Sequence, residues 1–212
     1  MKTVSHRPAD RGLGEPPEDA EDSGYFATLF LERNDGDPPV ANWPSRAAQI
    51  GAEPFYAARG AELFAHLWAG DRHFAALSAA DLQRMSGFLE FVQVKANREV
   101  IGQNEQGDYL LIVLEGSLAV DRLQAWGGRA RLAEARAGDM LGEMSLLDAG
   151  ARFSACTTLT QTLLAVLDAR RLDEMMNREP RLALALLASL SRRLSLRLRQ
   201  VSARLSALLS RS

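Results

Sequence analysis

The chain of 212 residues carries 25 Lys and Arg against 27 Asp and Glu, a net charge of −2, and is 47% hydrophobic. That balance supplies apolar material for one sizeable core and excludes a field drawing the whole chain to nucleic acid or anionic membranes. A single cysteine, Cys156, excludes an intrachain disulfide. With no apolar run to serve as a secretory signal and none long enough to span a bilayer, the expectation is a cytoplasmic protein.

Residues 1–24 are rich in Pro, Gly, Asp and Glu and lack large apolar side chains, so they read as a disordered acidic tail that cannot offset its ordering entropy. An extension over 25–70 follows and is partly helical. Phe26, Leu29, Phe30 and Leu31 group together ahead of an Asn-Asp-Gly-Asp-Pro-Pro loop, and Trp43 stands isolated. This stretch either packs on its own domain or docks on another protein. Phe55, Leu63, Phe64 and Leu67 share a helical face. A domain with flanking helices is expected over 71–178. Ser78, with Asp81 three residues on, approximates a capping box for a helix striped by Leu82, Met85 and Leu89.

From Phe91 to Asp168 the period changes to two. Runs such as FVQVK, YLLIVLEG, SLAVDR, RLAEAR and TLLAVLD are divided by the turns NEQGD, AWGGR and RAGD. The fold class is mainly β with flanking helices (α+β), an antiparallel β-roll or jelly roll. Helical periodicity returns in ARRLDEMMNREP. A long basic helix then occupies 179–212, starting at Pro180, with no glycine or internal proline. At 1.5 Å per residue it reaches roughly 45 Å.

The stretch LGEMSLLDAGARFSA opens on Gly142 and Glu143 and places Arg152 nine residues after the glutamate. Backbone N–H groups at the first turn of a short helix receive a phosphate, and an arginine fork supplies further donors. The carboxylate can accept from a ribose hydroxyl. Together with VIGQNEQGDYLLIVLEGSLAV and NREPRLALALLASLSRRL, this stretch resembles the cyclic nucleotide-binding domains of bacterial catabolite activators, protein kinase A regulatory subunits and cyclic-nucleotide-gated channels. The resemblance covers about 60% of the chain. It implies that Gly142 and Glu143 face the ribose 2′-hydroxyl, that Met144 and Ser145 lie in the phosphate-cradling turn, and that Arg152 pairs with the cyclic phosphate. Phe153 and Ser154 complete the expected binding residues.

Two positions depart from the family pattern. Asn104 replaces a glycine, a change the left-handed tolerance of Asn absorbs. Phe153 stands where Ser, Ala or Thr is usual. A charged hydrogen bond from Arg152 is worth about 1.5–3 kcal/mol, and overpacking by a large side chain costs about 1–3 kcal/mol, so the two are comparable. In the stretch AGDMLGEMSLLDAGARFSA (137–155), which the resemblance makes the phosphate-binding cassette, Phe153 either crowds the cassette, turns outward or lies along the purine. The missing threonine hydroxyl removes the feature linked to cGMP preference and makes cAMP the expected ligand. An internal Glu143–Arg152 ion pair in a ligand-free cassette is the alternative.

The last helix bears a heptad seam of Leu184, Ser191, Leu198 and Leu205 with Leu187, Leu194, Val201 and Leu208, which points to a homodimer through this helix or to packing on its own β-roll. It also carries seven arginines and no Asp or Glu beyond Glu179. That basic face is either simply solvated or suited to an acidic partner. The chain stops too soon after this helix for the helix-turn-helix domain of the catabolite activators, which argues against direct sequence-specific DNA binding. No catalytic or metal-ligating constellation and no cofactor motif is legible. The expected function is a cyclic nucleotide sensor, not an enzyme, acting on an effector protein in trans. The alternatives are a ligand-free dimeric scaffold and a relative of transcription regulators lacking its DNA-binding domain.

Overall fold

The computed structural model describes residues 24–31 and 40–210. The expected disordered tail, apart from Gly24, and the Asn34–Pro39 loop lie outside the described residues. In chain order the elements are α1 (Tyr25–Leu29), α2 (Trp43–Ile50), β1 (Glu53–Pro54), α3 (Ala57–Trp68), α4 (Ala79–Ser86), β2 (Glu90–Val94), β3 (Glu99–Ile101), β4 (Tyr109–Glu115) and β5 (Ser117–Leu123). They continue with β6 (Arg129–Arg136), β7 (Met140–Leu141), α5 (Glu143–Asp148), β8 (Ala155–Thr158), β9 (Thr162–Asp168), α6 (Ala169–Arg178) and α7 (Pro180–Leu209). The strands form two sheets, β1-β2-β9-β4-β7 and β3-β8-β5-β6, with every strand pair antiparallel. This is the β-roll with flanking helices expected from the change of period.

β4 explains why the run YLLIVL does not alternate. Its even residues Leu110, Ile112 and Leu114 join the helical core with Phe64, Phe74, Met85 and Leu172, while its odd residues Tyr109, Leu111 and Val113 fill the space between the sheets. A strand buried on both faces reads as a continuous apolar run. β9 does the same, with Leu163, Ala165 and Leu167 on one side and Leu164 and Val166 on the other.

The extension packs on its own domain. Phe26 and Phe30 enter the helical core, and the Asp173 carboxylate on α6 accepts from the Phe26 and Ala27 amides at 2.8 and 2.7 Å. Trp43, 2% exposed, lies in the inter-sheet core, and its indole N–H donates to Glu90. The expected capping box at α4 is present in both directions between Ser78 and Asp81. α7 is divided along its length. Leu182, Ala183, Leu186 and Leu190 are buried, whereas every residue from Ser195 to Ser210 is exposed.

Candidate nucleotide-binding site

Met140 and Leu141 end the five-stranded sheet as β7, and the chain turns at once into α5 through Gly142 at φ 81°. A left-handed backbone there suits glycine, and a Cβ would also collide with the Arg152 guanidinium. Leu146 N–H bonds back to the Gly142 carbonyl at 3.2 Å. Among the described residues no side chain caps the helix. The amides of Glu143, Met144 and Ser145 therefore have no intrahelical acceptor. Ser145 is buried and Met144 is 47% exposed.

Arg152 is 3% exposed and points inward. Its Nη1 donates to the Gly142 carbonyl at 2.7 Å and its Nη2 to the Tyr109 carbonyl at 2.6 Å. The guanidinium lies 4.7 Å from the centre of the Tyr109 ring. Gly107 flanks it so closely that a side chain there would clash. Burial pulls the Arg152 pKa below its ordinary value, opposed chiefly by Tyr109 and also by Cys156 and Asp108. The segment is pinned by the loop before β4, where Arg152 N–H donates to the Glu105 carbonyl and Asn104 N–H to the Arg152 carbonyl. Asn104 sits at φ 65°, as expected for a residue that tolerates left-handed angles. Glu105 in turn forms an ion pair with the buried Arg46 of α2, which ties the N-terminal extension to the loop around Arg152.

Glu143, 5% exposed, does not pair with Arg152. Its carboxylate accepts from Arg197 of α7 at 2.7 Å. Phe153 is 55% exposed, so it turns outward and leaves the cassette interior free of its ring. Arg122 of β5 lies 4.0 Å above that ring and donates to the Phe153 carbonyl. Ser154 is part-buried between Phe153 and the start of β8. The fold thus brings Gly142, Glu143, Ser145 and Arg152 together at one turn and leaves Met144 and Phe153 at its surface. Arg122 and Arg197 were not legible as site residues. Arg197 lies 54 positions from its partner within a helix rich in arginine, and no local spacing links the two.

A cavity of about 900 Å³ lies elsewhere, between α1 and α6, lined among others by Asp108, Asp168, Arg171 and Arg178. Burial, with Asp168 nearby, pushes the Asp108 carboxyl up to about 6, and its Oδ1 finds no hydrogen-bond partner among the described residues.

The turn, the pinned arginine and the two antiparallel sheets coincide with a match of residues 91–179 to the cyclic nucleotide-binding domain family. This β-roll belongs to that family. A CRP-like cAMP-activated global transcriptional regulator of Mycobacterium tuberculosis is 28% identical over 121 residues, 57% of this chain and 54% of that one. The chain thus spans about half the length of the curated relatives it matches. Among solved structures, a cyclic nucleotide-binding domain from Methylobacillus flagellatus superposes with a TM-score of 0.67 at 23% identity, over 72% of this chain and 86% of that one. The Thermus thermophilus catabolite activator protein superposes at 0.56 with 26% identity, over 64% and 62%. Among the described residues no helix is long and apolar enough to cross a membrane.

Proposed function

We propose that this cyclic nucleotide-binding domain is a cytoplasmic sensor that binds cAMP and passes the signal to a partner protein in trans. The observation that carries the reading is the uncapped first turn of α5, with buried Glu143 and Arg152 set on either side of Gly142. The first-turn amides and the guanidinium are donors for a cyclic phosphate, and the Glu143 carboxylate is an acceptor for the ribose 2′-hydroxyl. The cAMP-activated relative supports cAMP as the nucleotide. The exposure of Phe153 supports a cassette whose entry its ring leaves open. Binding requires Arg152 to turn from its two carbonyls toward the ligand. Such a change shifts a population only because the nucleotide favours one of the two arrangements.

Leu184, Leu198, Val201, Leu205 and Leu208 of the expected seam are exposed on α7. A second copy of this helix is the occupant that fits their heptad spacing, which makes the sensor a homodimer.

A scaffold that binds no ligand is the second reading. It is favoured by one observation: Arg152 and Glu143 are both already satisfied within the chain. Calorimetry separates the two. Wild type should bind cAMP, and Arg152→Ala should bind roughly thirtyfold or more weakly, the loss of one charged hydrogen bond. Glu143→Ala should weaken cAMP more than 2′-deoxy-cAMP. Phe153→Ala should not gain affinity, because the ring lies outside the cassette. Silence of wild type and of Phe153→Ala at millimolar nucleotide leaves the scaffold reading standing.

A further inference from the structure

Three residues of α7, each four apart, face the rest of the domain through polar contacts. The Ser189 hydroxyl donates to Asp71 at 2.7 Å. Arg193 donates to the Gly138 carbonyl at 2.9 Å, approaches Asp71 to 3.6 Å and lies 4.3 Å above the Trp68 ring. Arg197 reaches Glu143 at 2.7 Å. Residues four apart lie on one helix face, so this is a single stripe running from the helical core toward the cassette. Its first two members are the more enclosed, Ser189 fully buried and the Arg193 side chain 32% exposed. Its last is not, for the Arg197 side chain is 55% exposed while the Glu143 side chain is 7% exposed. Among the described residues no hydrogen bond or ion pair joins α7 beyond Arg197 to any other element.

We propose that Arg197 is a built-in competitor for the nucleotide: it latches α7 onto the cassette by occupying Glu143, and the nucleotide must displace it to place its ribose. This rests on the reading that the cassette binds a cyclic nucleotide through Glu143. The asymmetry of the pair suits the role. A buried carboxylate left alone is costly, so Glu143 holds a donor at all times. A half-exposed guanidinium returns to water with little loss, so Arg197 can leave once a ribose hydroxyl takes its place. Displacement frees α7 beyond the Arg193 anchor, the same stretch that exposes Leu198, Val201, Leu205 and Leu208. Linkage makes the effect reciprocal: a partner that holds this stretch away from the cassette tightens nucleotide binding by the factor with which nucleotide tightens the partner.

The test is calorimetry of cAMP binding to wild type, Arg197→Gln and Arg192→Gln. Arg192 is exposed on the same helix, and no contact ties it to the cassette among the described residues. Removing a charged competitor that must yield to a neutral hydroxyl should tighten Arg197→Gln by about tenfold and leave Arg192→Gln at the wild-type value. Equal or weaker binding by Arg197→Gln overturns the latch and leaves the sensor reading standing. An equal gain in Arg192→Gln overturns it too, since the effect would then be one of general charge. Absence of binding in all three proteins at millimolar cAMP overturns the sensor reading and the latch with it.

Discussion

Arg152→Ala should destabilise the ligand-free protein as well as weaken its binding of nucleotide. The side chain supplies Nη1 to the Gly142 carbonyl at 2.7 Å and Nη2 to the Tyr109 carbonyl at 2.6 Å, in a pocket where it is 3% exposed. Each bond from a charged donor contributes about 1.5–3 kcal/mol. Part of that is offset because the variant no longer buries a guanidinium, a cost visible in the lowered pKa of Arg152. The net loss is about 2–4 kcal/mol, since the Tyr109 carbonyl loses its guanidinium donor and the Gly142 carbonyl keeps only the longer bond from the Leu146 amide. With a urea dependence of about 2 kcal/mol per molar, the unfolding midpoint should fall by roughly 1–2 M. Arg152→Lys should fall between the two, because one ammonium does not reproduce a planar fork spanning two acceptors. cAMP at a hundredfold excess over the wild-type Kd should stabilise wild type by about 2.7 kcal/mol and, after a roughly thirtyfold loss of affinity, Arg152→Ala by less than about 1 kcal/mol. A midpoint for ligand-free Arg152→Ala within about 0.2 M of wild type would refute the carbonyl cage.

Trp43→Ala should cost about 3–5 kcal/mol in thermal or urea unfolding, because the indole is buried in the inter-sheet core and bonded to Glu90. Asp108→Asn should change the pH profile of stability. The folded carboxyl titrates near 6 against 3.8 ordinarily, so the folded state holds the proton more tightly and wild type loses stability as pH rises from about 4 to 6. Relative to wild type, the Asn variant should gain about 1–2 kcal/mol on going from pH 4 to pH 7, a figure discounted for partial exposure; a pH-independent difference would contradict the assignment. Cys156, whose thiol burial pushes up to about 12, should resist thiol reagents at pH 8 until the protein is unfolded. Replacing Leu194 and Val201 together with Glu should yield monomers in sedimentation, and a wild type already monomeric at high concentration would remove the dimer from the account.

The β-roll was legible because its central strands carry the information in their own residues. β4 and β9 are apolar throughout, since both faces are buried. The final helix was legible from Pro180 at its first turn and the unbroken helical run behind it. β3 and β7 were not, for strands of three and two residues hold too few positions to show a period. α2 was missed although Asn42, Pro44 and Gly51 mark its start and stop; Trp43 looked isolated because its core neighbours are remote strands. At the site, the Gly-Glu…Arg spacing located the turn. The partners that satisfy it were hidden for two physical reasons. Arg152 bonds to backbone carbonyls, which every residue carries, so side-chain identity does not reveal them. Glu143 draws its arginine from another element, where six arginines share one helix and tertiary packing alone selects Arg197.

A crystal structure of the chain grown with saturating cAMP decides between the sensor and the scaffold. A sensor should show the cyclic phosphate against the Arg152 guanidinium and the first-turn amides of α5, the ribose 2′-hydroxyl donating to Glu143, and Arg197 withdrawn from that carboxylate. A cassette empty of nucleotide under those conditions, with Arg152 still on the Gly142 and Tyr109 carbonyls and Arg197 still on Glu143, would contradict it.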